Sequence, residues 1–101
     1  MNYLQNKVVF ITGASSGIGK ATAIALLDQG ARVFDFSRTH QLADEVSNEN
    51  LRSFKGDVSQ EADVVAGFTA CQETFGPVDI LLNNAGIGLT TTDLSTTDLE
   101  T

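Results

Sequence analysis

The chain has 101 residues, 42% hydrophobic and 19% charged, a composition that suits one globular domain and excludes a disordered chain. Thirteen acidic residues against six Lys and Arg give a net charge of −7, which speaks against non-specific binding to nucleic-acid backbones. Cys71 is the only cysteine, so neither an intrachain disulfide nor a cysteine-built metal cage is available, and no metal site is expected.

From the N-terminus, Met1 to Lys7 lacks the charged flank and long apolar core of a signal peptide. No stretch approaches the ~20 apolar residues of a membrane helix. A cytoplasmic protein without a membrane partner is the expectation. Val8 to Thr12 reads as a buried strand and Gly17 to Gln29 as a helix, with Ile18, Ala21, Ala25 and Ile24, Leu27 as its apolar faces and Gly30 closing it. Val33 to Ser37 is a second strand, Gln41 to Val46 a short helix, and Leu51 to Lys55 a third strand before a turn at Gly56-Asp57.

Between Gln60 and Phe75, the residues Val64, Phe68, Cys71 and Phe75 fall at spacings of four, three and four, which places them on one helical face. Gly76-Pro77 stops that helix. Ile80 to Leu82 is a fourth, apolar strand leading into Asn83-Asn84-Ala85-Gly86. Residues 87–101 form a threonine-rich tail that nearly repeats Thr-Thr-Asp-Leu, and Ser95 with Asp98, or Thr97 with Glu100, has the form of a helix start. Strands that alternate with helices and read as apolar runs imply one α/β domain over residues 1–101, with a parallel sheet covered on both faces.

The loop after the first strand, Thr12-Gly13-Ala14-Ser15-Ser16-Gly17-Ile18-Gly19, has the character of a phosphate cradle. It is not a P-loop: five residues separate Gly13 from Gly19, and Ala21 stands where a magnesium-binding hydroxyl is needed. Nor is it G-x-G-x-x-G, because Gly17-Ile18-Gly19 is followed by Thr22 at the place of the third glycine. Its spacing is Thr-Gly-x3-Gly-x-Gly.

That spacing resembles the short-chain dehydrogenase/reductase family, and two later elements strengthen the likeness in the same order. Asp57-Val58 follows the third strand and Asn83-Asn84-Ala85-Gly86 the fourth. The resemblance implies a Rossmann-type sheet of strand order 3-2-1-4, the β-α-β-α-β-α-β half of a doubly wound fold. It further implies that Gly13, Ser15, Ser16, Gly17, Ile18 and Gly19 seat a dinucleotide pyrophosphate at a helix N-terminus. Asp57 and Val58 would meet the adenine, and Asn84, Ala85 and Gly86 would steady the sheet near the ribose and nicotinamide. Taken by themselves, Asp57 could equally start a turn, and Asn83 simply end a strand.

Family members that use NAD hold the adenosine ribose with an acidic residue at the end of the second strand, roughly 20 residues beyond the loop. Counting from Gly30 puts Ser37 there, followed by Arg38 and Thr39. A guanidinium after a neutral residue suits a 2′-phosphate, so NADP(H) is expected over NAD(H). A register shifted by two would instead bring Asp35 to the acidic position.

The family's catalytic Ser and Tyr-x3-Lys lie beyond its Asn-Asn-Ala-Gly strand, and the chain is expected to be the amino-terminal, cofactor-binding half, inactive alone. Tyr3 and Lys7 repeat the Tyr-x3-Lys spacing ahead of the first strand, on the wrong side of the chain, so no catalytic residue is assigned. A carbonyl or alcohol substrate would require the other half. The alternative is a non-catalytic dinucleotide-binding or protein-interaction module that uses the exposed fourth-strand edge, an edge that also invites self-association.

Overall fold

A computed structural model describes residues 3–14 and 17–84. Four parallel strands, β1 (Val8–Thr12), β2 (Arg32–Ser37), β3 (Leu51–Lys55) and β4 (Ile80–Asn83), form one sheet in the order β3-β2-β1-β4. The fold is of the Rossmann type, as expected. Helix α1 (Gly17–Asp28) connects β1 to β2, and α2 (Glu61–Thr74) connects β3 to β4. Residues 85–101, including the threonine-rich tail, lie outside the described residues.

Side chains alternate along the strands, and each face of the sheet has its own core. On one face Ile11, Val33 and Leu51 pack with Ala23 and Leu27 of α1 and with Leu42. On the other, Phe10, Phe34 and Phe36 meet α2 through Val64, Phe68 and Cys71, so the predicted α2 face is the one that packs. Phe10 and Phe68 stack at 4.2 Å with their planes 4° apart.

Two local expectations are corrected. The segment Gln41–Val46 is not a helix but a single 3₁₀ turn, Leu42–Asp44. Its amides are captured early, Leu42 N donating to Asp35 Oδ2 and Ala43 N to Ser53 Oγ, each at 2.9 Å. In α1 the buried residues are Gly19, Ala23 and Leu27, whereas Ile18 is 72% exposed and Ala21 and Ala25 face outward. The helix carries apolar residues on several sides, so periodicity alone does not select a face; the packing of Ala23 and Leu27 on Ile11, Val33 and Leu42 does.

Parallel pairing puts the C-terminal ends of all four strands at one edge of the sheet. Gly13, Arg38, Gly56 and Asn84, each just past its strand, therefore share that edge. At the opposite edge β4 is registered by Asp79, whose amide donates to Val8 O and whose carboxylate accepts from Val8 N, both at 2.9 Å. Among the described residues no helix is long and apolar enough to cross a membrane, and no cluster of three or more His, Cys, Asp or Glu is placed to hold a metal ion.

Candidate functional site

The turn after β1 rests on glycines. Gly13 and Gly17 have φ of 69° and 59°, the left-handed region that other residues reach at a cost. A side chain at Gly19 would overlap Asn84 Nδ2 and the Gly13 carbonyl oxygen, so this glycine lets α1 start directly against the strand ends. A Cβ at Gly17 would meet nothing within 4 Å, so its left-handed φ, not crowding, is what calls for glycine there. Ser15 and Ser16 lie outside the described residues, as do Ala85 and Gly86.

Thr12 locks this turn to the end of β4. Its hydroxyl donates to Asn83 Oδ1 at 3.0 Å and accepts from Asn84 N at 2.8 Å. Asn84 Nδ2 then reaches the Gly13 carbonyl at 3.4 Å. Asn83 and Asn84 thus tie β4 to β1 beneath the loop.

Next to the loop, a cavity of about 240 Å³ is lined by Gly13, Phe36, Ser37, Arg38, Thr39, Gly56, Asp57 and Val58. Six of these are residues singled out from the sequence. Val58 is 47% exposed and offers an apolar surface. It also borders a second cavity of about 190 Å³, walled by Phe10, Phe36, Phe68 and Leu81 and reaching Thr12 and Asn83.

The charged groups at the cavity are Arg38 and Asp57. The Arg38 side chain is 74% exposed, and its Nη1 lies 4.0 Å from Asp57 Oδ2. Asp57 Oδ1 accepts from Ser59 N at 2.9 Å and from Ser59 Oγ at 2.8 Å, and Asp57 N donates to Asp63 Oδ2 at 3.0 Å. The Ser59 backbone bond, then its hydroxyl bond, hold the Asp57 carboxyl below its ordinary value of 3.8, and Arg38 adds a smaller lowering. Asp57 therefore starts a turn with one oxygen and turns the other toward Arg38.

Ser37 sits where the count put it, at the end of β2, but it is only 4% exposed and its hydroxyl donates to Asp35 Oδ1. It lines the cavity immediately before Arg38 and Thr39. Asp35 is 0% exposed and faces the 3₁₀ turn, so no carboxylate at the end of β2 faces the cavity among the described residues. Tyr3 is 78% exposed.

Two contributors escaped the sequence patterns. A Cβ at Gly56 would come 2.5 Å from Phe36 Cζ, and one at Gly67 would come 2.7 Å from the same ring, so both glycines admit Phe36 beneath the cavity. The signal for Gly67 was present: it shares the α2 face of Val64, Phe68 and Cys71 and leaves a gap in an otherwise large-residue stripe.

Comparison with known proteins agrees with this geometry. The model of the family described as short chain dehydrogenase matches residues 7–101. The chain is 41% identical over 88 residues to the short-chain dehydrogenase/reductase cdmF of Talaromyces verruculosus, covering 86% of this chain and 34% of that protein. It is 40% identical over 84 residues to ipsdienol dehydrogenase of Ips pini, covering 83% and 33%. The fold is similar to 3-ketoacyl-(acyl-carrier-protein) reductase from Brucella melitensis, solved as a complex with NADH, at a TM-score of 0.73 and 38% identity over 78% of this chain and 34% of that one. A short chain dehydrogenase from Bacillus anthracis gives a TM-score of 0.74 at 35% identity, over 82% and 36%. The chain thus spans about a third of the length of the curated relatives it matches.

Proposed function

The chain belongs to the short-chain dehydrogenase family, and from that premise we propose that it forms the NADP(H)-binding part of an oxidoreductase acting on a carbonyl or alcohol substrate. The observation that carries this reading is the exposed Arg38 guanidinium at the rim of the Gly13–Asp57–Val58 cavity, with Asp35 buried and committed elsewhere. A 2′-phosphate suits a planar cation, whereas a free ribose diol is usually held by a carboxylate at the end of β2.

The residues fit such a cofactor. The start of α1 at Gly17 suits an anion, because the first amides of a helix point outward and carry the positive end of its dipole. Val58 supplies the apolar surface for adenine, and Arg38 and Thr39 the adenosine ribose and its phosphate. Asn84 anchors the Gly13 carbonyl where the loop leaves β1. When bound, the cofactor supplies hydride exchange at its nicotinamide. The part proposed for these residues is to bind and orient it.

The test is a titration of NADPH and NADH against the protein and its Arg38→Ala variant. Loss of a charge-assisted phosphate contact should weaken NADPH about ten- to a hundredfold and leave NADH nearly unchanged. An unchanged ratio of the two dissociation constants would overturn the NADP(H) assignment. Failure of the unaltered protein to bind either dinucleotide would favour a non-catalytic interaction module.

A further inference from the structure

We propose that Asp35 is a positioning residue for the adenosine end of this site: one buried carboxyl group closes both feet of the arch that carries Arg38 and Thr39. The proposal rests on the reading of that cavity as a dinucleotide site. Asp35 lies in the middle of β2, between Ile11 of β1 and Ser53 of β3. Packing does not call for an acid there, since β-branched and aromatic residues suit a buried strand better and a carboxyl group must find partners for its oxygens.

Asp35 has three such partners. Ser37 Oγ donates to Oδ1, while Leu42 N and Ser53 Oγ donate to Oδ2, both at 2.9 Å. Ser37 precedes the exposed residues Arg38, Thr39 and His40, and Leu42 follows them by two. The two feet of the arch therefore meet on a single side chain. Ser53 Oγ extends the clamp by accepting from Ala43 N at 2.9 Å, and Gln41 Nε2 donates to the Ser37 carbonyl at 3.1 Å.

The clamp has two consequences for recognition. It engages the Ser37 hydroxyl with Asp35, so the exposed Arg38 and Thr39 are the side chains left uncommitted to the clamp at the cavity rim. It also shortens the range over which Arg38 can wander, which lowers the entropy lost when the guanidinium engages a phosphate.

The experiment measures NADPH and NADH dissociation constants for the unaltered protein and for Asp35→Ala, Asp35→Asn and Arg38→Ala. Asparagine keeps an oxygen for Leu42 N and Ser53 Oγ and places an amide against Ser37 Oγ, so it preserves the clamp; alanine removes it. Asp35→Ala should weaken NADPH about tenfold with NADH changing less than about twofold, and Asp35→Asn should restore the ratio to within about threefold of the unaltered protein. Parallel weakening of both dinucleotides, or no rescue by asparagine, would overturn the proposal by reducing Asp35 to a residue of general stability. If the alanine variant does not fold, Ser53→Ala, which removes the two Ser53 hydroxyl bonds of the clamp and leaves those of Ser37 and Leu42, should lower the NADPH preference about threefold, and an unchanged preference would be equally decisive. Arg38→Ala separates the two levels. If it leaves the ratio unchanged, the cofactor reading fails and this proposal with it; if it collapses the ratio while Asp35→Ala does not, this proposal alone fails.

Discussion

Asp57 shows how a residue can be legible in a motif and still be doing something the motif does not say. Its place after β3 marked it as a candidate for adenine, and in the fold it also caps its own turn through Ser59. Because the Ser59 hydroxyl lowers the Asp57 pKa more than Arg38 does, Ser59→Ala should move the Asp57 titration toward 3.8 further than Arg38→Ala does, while the Ser59 amide bond keeps it below that value. The sign follows from linkage: a carboxyl held lower in the folded state stabilises the fold above its unfolded value, and that contribution fades as the pH falls from 3.8 through the folded value. Carboxyl ¹³C shifts followed through an acid titration check this, and an Asp57 that titrates at 3.8 or above would contradict it. Ser37 is the complementary case. Counting located it correctly, but the direction of its hydroxyl depends on Asp35, whose other partners come from Leu42 and Ser53, well along the chain.

The packing of α2 on the sheet depends on a gap as much as on its large residues. The stripe Val64, Phe68, Cys71, Phe75 could be read from spacing, yet Gly67 in the same stripe is what lets Phe36 lie flush beneath the helix. A methyl at Gly67 would come 2.7 Å from that ring and 3.5 Å from Phe10 Cζ. Gly67→Ala gains ~1 kcal/mol of helix propensity but forces the Phe36 ring to shift, and overpacking of that kind typically costs ~1–3 kcal/mol. Net destabilisation in a urea melt is the expected outcome, and a stabilised variant would show that the layer yields. Cys71 offers a second measurement on the same helix: it is fully buried, and burial pushes its thiol up to about 11. Alkylation of Cys71 should be slow in the native protein and faster in Gly67→Ala, because a loosened α2 exposes the thiol. The 3₁₀ turn at Leu42–Asp44 was read as a helix for an analogous reason, since local pattern does not register the side chains from β2 and β3 that capture its amides.

Taken together, the sheet is a device for bringing four distant loops to one edge, and a ligand that spans them should stabilise the fold as a unit. At a hundredfold excess over its dissociation constant, a ligand that binds only the folded state contributes about 2.7 kcal/mol. For a domain of about 100 residues each kcal/mol raises the melting temperature by about 4–8 °C, so NADPH should raise it by about 10–20 °C and NADH by less at equal concentration. A thermal-shift assay reads this directly, and identical curves with and without NADPH would contradict the proposed site. Much of this architecture was already written in local chemistry. Apolar runs, the closing glycine at Gly30 and the glycine spacing after β1 act over a few residues, and they were enough to predict the four strands, α1, α2 and the parallel sheet, though not the 3₁₀ turn. The buried face of α1, the closure of the Arg38 arch by Asp35 and the seat of Phe36 between Gly56 and Gly67 depended on folding. Each requires groups that are remote in the chain to meet, and their burial and hydrogen bonding come into being only when the strands pair.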